Sequence, residues 1–101
     1  MFRAITDAIQ VSKLRWRLVD QALKPITFEE AFYMATKGGG EFFGKVGSFE
    51  DGYEFDAVVL DDSVAPHPQE TNLLQRLERA AYLSVDLNGV CGKYVSGRQI
   101  L

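Results

Sequence analysis

The chain has 101 residues, 47% of them hydrophobic and 25% charged, with a formal net charge of −3, a mass of 11.3 kDa and a pI near 5.0. That is one ordinary globular domain, too short for a conventional two-domain enzyme and too well supplied with apolar residues to be disordered. The acidic balance argues against non-specific binding to nucleic acid or an anionic membrane, since both need a cationic surface that displaces counterions.

In chain order, the apolar residues Ile5, Ile9, Trp16, Val19 and Leu23 recur at helical steps, with Phe2, Val11, Leu14 and Leu18 widening the stripe. This predicts an amphipathic helix from Phe2 to Leu23, ended by Pro25, which lacks the amide donor a helix needs. Thr27 with Glu30 three residues on is a capping box that opens a second helix, with Phe28, Ala31, Phe32 and Ala35 on its buried face. Lys37 followed by Gly38, Gly39 and Gly40 supplies a cationic last turn and a left-handed stop. Asp51-Gly52 marks a turn, and the β-branched run that follows predicts a strand from Asp56 to Asp61. Pro66, His67 and Pro68 lie in a predicted surface loop. Leu73, Leu74, Leu77, Ala80 and Ala81 then define a third helix. The C-terminus reads as a hairpin, with a strand from Val90 to Val95, a turn at Ser96-Gly97 and a short strand from Arg98. The two main strands are expected to share one small sheet, and the long helices to pack together or onto it.

No apolar run approaches the roughly 20 residues that span a bilayer. The first ten residues carry Asp7 and lack the apolar core of a signal peptide, so the chain reads as mature structure from its first residue. A single cysteine, Cys91, cannot form an internal disulfide, which fits a reducing cytoplasm.

The candidates for chemistry each have a plainer reading. Gly38 to Gly40 close a helix rather than follow a strand, so they do not resemble a phosphate loop. His67 is the lone histidine, whereas a zinc site needs three or four convergent ligands. Cys91 lies in an apolar strand, which predicts a buried, inert thiol. Glu29 and Glu30 cap a helix, and Asp61 and Asp62 end a strand, where adjacent side chains diverge. Lys13, Arg15 and Arg17 diverge around a helix, which reads as a solvated face rather than a nucleic-acid surface. Taken alone, these residues contain no catalytic, cofactor-binding or metal-binding set.

Two longer phrases are more informative. The stretch from Thr27 to Asp62, TFEEAFYMATKGGGEFFGKVGSFEDGYEFDAVVLDD, resembles the C-terminal part of metal-dependent amidohydrolases, and its wording from Gly38 to Val59 is most similar to guanine deaminases. The opening MFRAITDAIQVSKLRWR and the closing YLSVDLNGVCGKYVSGRQIL are similar to the flanks of that segment, so the resemblance covers essentially the whole chain.

The resemblance implies an α+β piece: C-terminal helices of an amidohydrolase barrel over residues 1–46, and part of the small composite β-sandwich with one helix over residues 47–101, the barrel strands being absent. It implies that Gly47, Gly52 and Gly97 serve turns. It also implies that the zinc of the whole enzyme, which deaminates guanine hydrolytically to xanthine, is held by residues with no counterpart in this chain. His67 matches none of them, and no catalytic position carries over. The expectation is a catalytically incomplete fragment, arising from truncation, excision or a split enzyme. The alternative is a stand-alone interaction or oligomerisation module. Either way, the expected partner is the missing N-terminal catalytic portion or a further copy of the chain, without nucleic acid or membrane.

Overall fold

The structure is a computed structural model and describes residues 1–64, 69, 72–83 and 89–101. Its first helix, α1, runs Phe2–Leu18 and carries Arg15 and Arg17 in its last turn, where cations meet the negative end of the helix dipole. The helix stops five residues before the sequence periodicity does. The amides of Val19 and Asp20 both reach back to the Arg15 carbonyl, at 2.9 and 3.0 Å. The Asp20 carboxylate then accepts from the Ala22 amide at 2.9 Å, an Asx turn that competes with further helix. Trp16 fastens this turn by donating its indole N–H to the Gln21 carbonyl at 3.1 Å.

The chain returns along α1 through Ser12, whose hydroxyl donates to the Ile9 carbonyl and accepts from the Ile26 amide at 3.1 Å. Helix α2, Phe28–Tyr33, starts at Thr27, whose hydroxyl accepts from the Glu30 amide at 3.2 Å. The reciprocal half of the capping box differs from expectation, because the Glu30 carboxylate takes the Thr27 hydroxyl rather than its amide.

The expected stop at Gly38 to Gly40 is not there. The backbone continues through a π-helical turn, Met34–Gly38, and a tight 3₁₀ turn, Glu41–Phe43, with Gly39 and Gly40 in right-handed conformation. The left-handed stop falls at Gly44, φ 111°. The glycines answer to crowding instead: a Cβ at Gly39 would strike the Met34 carbonyl oxygen, and one at Gly40 would lie 2.6 Å from that of Val46.

Strand β1, Ala57–Leu60, pairs antiparallel with β2, Val90–Val95, which pairs antiparallel with β3, Arg98–Gln99, in the order β1-β2-β3. The expected strand is thus shorter by one residue at each end, although the Asp61 amide still donates to the Gly89 carbonyl at 2.7 Å. Ser96 and Gly97 form the hairpin turn with φ of 48° and 78°, both positive as this tight connection requires. Helix α3, Leu73–Leu83, opens with a second capping box: the Asn72 side chain accepts from the Gln75 amide at 2.8 Å, and the Gln75 side chain accepts from the Asn72 amide at 3.1 Å.

The core lies among the helices. Ile5, Ile9, Phe28, Ala31 and Ala81 are buried, with Phe2, Ile26, Phe32 and Leu77 packed against them. Among the described residues, no helix is long and apolar enough to cross a membrane. Over the described residues the fold is a small α+β arrangement of three α-helices and a three-stranded antiparallel sheet.

Candidate functional site

One concavity lined by described residues is a cleft of about 880 Å³ between the helical layer and the sheet. Phe2, Phe32 and Phe43 contribute from the helical side, and Val58, Tyr94 and Ile100 from the strand side. Its walls owe their placement to local chemistry. Thr36 donates to the Phe32 carbonyl at 2.8 Å, which steadies the α2 end, and Gly47 turns the chain at φ 82° so closely over Thr36 that no side chain fits there. On the sheet side, the Ser96 amide donates to the Asp56 carboxylate and the Gly97 amide to the Phe55 carbonyl, both at 2.8 Å, so the hairpin tip is pinned to the start of β1. Phe55 meets Phe49 and Tyr94 with ring centroids 5.8 and 5.5 Å apart. The cleft offers a mostly apolar surface, with Asp56 and Lys93 among its polar lining residues.

Charged groups cluster elsewhere and act as fasteners. Lys37 pairs with Glu50, which also accepts from the Ser48 hydroxyl at 2.7 Å, and the Lys37 ammonium lies 5.7 Å from the centre of the Tyr53 ring. The hydrogen bond from Lys37, seconded by Ser48, holds the Glu50 carboxyl below its ordinary range, and the same bond raises Lys37. Asp61 accepts from the hydroxyl and the amide of Ser63, and both bonds lower its pKa. Asp62 is lowered by its hydrogen bond from Arg76, which ties α3 to the end of β1. Asp61 and Asp62 thus face different partners, although β1 ends at Leu60 and Asp62 opens a 3₁₀ turn, Asp62–Val64, so strand alternation is not the cause.

The other sequence candidates also resolve into plain roles. Glu30 belongs to the Thr27 cap. His67 lies outside the described residues. Cys91 is exposed rather than buried, with its thiol 3.5 Å from the Val59 carbonyl oxygen. Among the described residues, nothing packs deeply over that face of β2, so an apolar strand did not make a buried one. Among the described residues, no three His, Cys, Asp or Glu side chains converge as a metal site would need. The described residues therefore do not offer a ligand set for the zinc that the family resemblance implies. Sequence reading missed the Ser12 bridge, the Arg76–Asp62 tie and the Asn72 cap. Only the last had a local signal, Asn with Gln three residues on.

The feature that stands out is uncovered surface. A folded monomer of this mass exposes about 5,700 Å², whereas this chain exposes 7625 Å². The radius of gyration, 15.3 Å, likewise exceeds the roughly 13 Å of a compact chain of this length. Val11, Leu14, Leu18 and Val19 on and after α1, Phe42 and Phe43 beyond α2, and Val58 and Val59 on β1 are all exposed.

Known proteins account for such a shape. The crystal structure of guanine deaminase from C. acetobutylicum, with guanine bound in the active site, superposes on 99% of this chain with a TM-score of 0.88 and 48% sequence identity, and the match covers 23% of that chain. The guanine deaminase of Dictyostelium discoideum is 35% identical over 83 residues, which are 75% of this chain and 18% of that protein. The guanine deaminase of Homo sapiens is 29% identical over 113 aligned positions, covering 100% of this chain and 24% of that protein. The chain therefore spans a quarter or less of the length of these relatives. Residues 1–95 match the amidohydrolase family, and the chain belongs to that family as a guanine deaminase-like segment.

Proposed function

We propose that this chain is the C-terminal part of a guanine deaminase-like amidohydrolase, and that the hydrolytic deamination of guanine to xanthine belongs to the whole enzyme rather than to these residues. The observation that carries the reading is the agreement of 48% of residues at a TM-score of 0.88 over nearly the entire chain, against only 23% of the neighbour. Residues 1–46 supply helices that pack on the catalytic barrel, and residues 47–101 supply part of the small composite β-sandwich. Zinc is held by ligands of the other portion, since the side chains described here do not offer a set. The work of this chain is to close the fold: the helical cluster and the cleft present apolar walls that shield the catalytic portion from water. The partner is that portion. The proposed setting is purine conversion in the cytoplasm, supported by the single exposed thiol of Cys91, which needs no oxidising compartment.

The test is a chimera in which the matching quarter of the C. acetobutylicum guanine deaminase is replaced by this chain. Guanine turnover by the zinc-loaded chimera is expected, and a folded, zinc-loaded chimera without turnover overturns the reading. The isolated chain with added zinc is expected to release no ammonia from guanine, and metal-dependent turnover by it would overturn the reading equally.

One observation favours a second role, self-association as a stand-alone module. Val11, Leu14, Leu18 and Val19 stay exposed, and joining two such faces buries the apolar area that association requires. Sedimentation over a micromolar dilution series tests it, with a concentration-dependent rise in mass expected.

A further inference from the structure

Residues 45–54 form a closed loop between the helical layer and β1. Its neck is held by the Glu54 amide, which donates to the Lys45 carbonyl at 2.8 Å, and its far end turns where the Tyr53 amide donates to the Glu50 carbonyl at 3.1 Å. A compact surface loop of this length with its ends together is an Ω loop. Among the described residues, no backbone hydrogen bond joins residues 46–52 to another element. At the entrance Gly44 takes φ 111° and ψ −140°, a conformation almost exclusive to glycine, and the space where its Cβ would lie is open. At the exit the chain is fixed, because the Phe55 ring packs on Tyr94 and its carbonyl accepts from the Gly97 amide.

Side chains hold this loop shut. Lys37, at the end of the α2 extension, pairs with Glu50 and lies over the Tyr53 ring, so both ends of the loop's turn gather on one cation of the helical layer. Ser48 donates to the same carboxylate, and Tyr33 lies near the ammonium. Lys45 sits beside Gly52, and Asp51 and Glu54 complete the charges of the loop. On its inner limb, Val46, Gly47, Ser48 and Phe49 line the cleft. The closed loop is therefore one wall of the cleft. Apart from packing of Gly47 against Thr36 and of Phe49 against Phe55, the hold on that wall is a single ion pair.

We propose that residues 45–54 are a hinged strap that opens from the cleft as one unit, with the Lys37–Glu50 pair as its latch and protonation of Glu50 as its release. The hydrogen bonds from Lys37 and Ser48 hold the Glu50 carboxyl below its ordinary range. The latch is thus closed above the ordinary carboxylate range and lost as pH falls through the lowered value. A pair this exposed moves an equilibrium only a few-fold, so the strap opens and recloses while the core stays folded. The proposal concerns the chain itself and stands apart from the guanine deaminase reading.

Amide hydrogen exchange on the full chain, followed by NMR, tests it. The Tyr53 and Glu54 amides report the turn and the neck, and the Ile100 amide, which donates to the Lys93 carbonyl at 2.8 Å, is the reference in the sheet. In Glu50→Gln at neutral pH, protection of Tyr53 and Glu54 is expected to fall together by about threefold, with Ile100 unchanged. The double variant Lys37→Glu with Glu50→Lys is expected to restore it, because the exchanged pair makes the same latch. On acidification the gap between Glu50→Gln and the unmodified chain should close, and Asp51 and Glu54, present in both, cancel from that difference. Unchanged protection in Glu50→Gln, a loss confined to one of the two amides or shared by Ile100, an exchanged pair no better protected than Glu50→Gln, or a gap independent of pH would each overturn the proposal.

Discussion

The helical cluster and the sheet are built from comparable apolar residues and end in opposite states. Ile5 and Ile9 of α1 are 2% and 3% exposed, because α2 and α3 close over that face from two sides. On the sheet, Val58 and Val59 remain 42% and 46% exposed, and Gly92 is the buried residue of β2. The difference is one of layers rather than of composition. Three helices can surround a shared line of contact, whereas a sheet of three strands has two faces and two edges, each needing a cover. The helical part therefore covers its own apolar face, while among the described residues the sheet leaves apolar surface open.

The contrast breaks most easily at its strongest point. Ile5→Ala opens a cavity among α1, α2 and α3 and is expected to lower stability by about 3 kcal/mol, whereas Val59→Thr on the open sheet stays within about 0.5 kcal/mol. Urea midpoints of the two variants check this, and similar losses would show that the sheet carries its own core. Next comes Gly47→Ala, at the hinge between the helical layer and the sheet. A Cβ there meets the Thr36 carbonyl oxygen at a backbone φ of 82°, and a loss of about 2 kcal/mol is expected by thermal melting. The helix caps sharpen the comparison at smaller scale. Thr27→Ala and Asn72→Ala each remove an acceptor for a helix amide and should cost about 1 kcal/mol, read from loss of helical circular dichroism on heating.

The smallest effect is electrostatic. Glu50, Asp61 and Asp62 have folded pKa values below their ordinary ones. Their contribution is therefore fully present above the ordinary carboxylate range and is lost as pH falls through the lowered values. All three are solvent-exposed, so the loss is modest. Glu50→Gln should flatten part of the acid limb of a stability-against-pH curve and leave neutral pH nearly unchanged. A variant as acid-sensitive as the parent would show that the Lys37–Glu50 pair does not join the two layers.

How much could be read beforehand depended on how local the cause was. Thr27 with Glu30 announces α2, Ser96-Gly97 announces the hairpin, and the run from Ala57 to Leu60 announces β1, because each follows from neighbours a few residues apart. The end of α1 was misjudged, since its apolar spacing continues to Leu23 while the Asp20 turn and the Trp16 indole stop the helix at Leu18. The glycine run was misjudged for a related reason. Gly39 and Gly40 are crowded by the Met34 and Val46 carbonyls, and sequence spacing does not show such close backbone contacts. Cys91 was expected inside because its strand is apolar, yet a strand is buried only when another layer covers it. As for the candidate site, the count of one histidine and one cysteine was legible. The cleft was not, because its walls come from residues as distant as Phe2 and Ile100.

The sequence by itself determined the element types and the family, since capping residues, turn residues and periodicity act over short range and a long shared wording carries a shared fold. Tertiary structure alone decided which apolar residues are covered. Ile5 and Val59 are equally hydrophobic in the text, and only the packing of α2 and α3, with no second layer over β1 among the described residues, makes one a core residue and leaves the other an open surface.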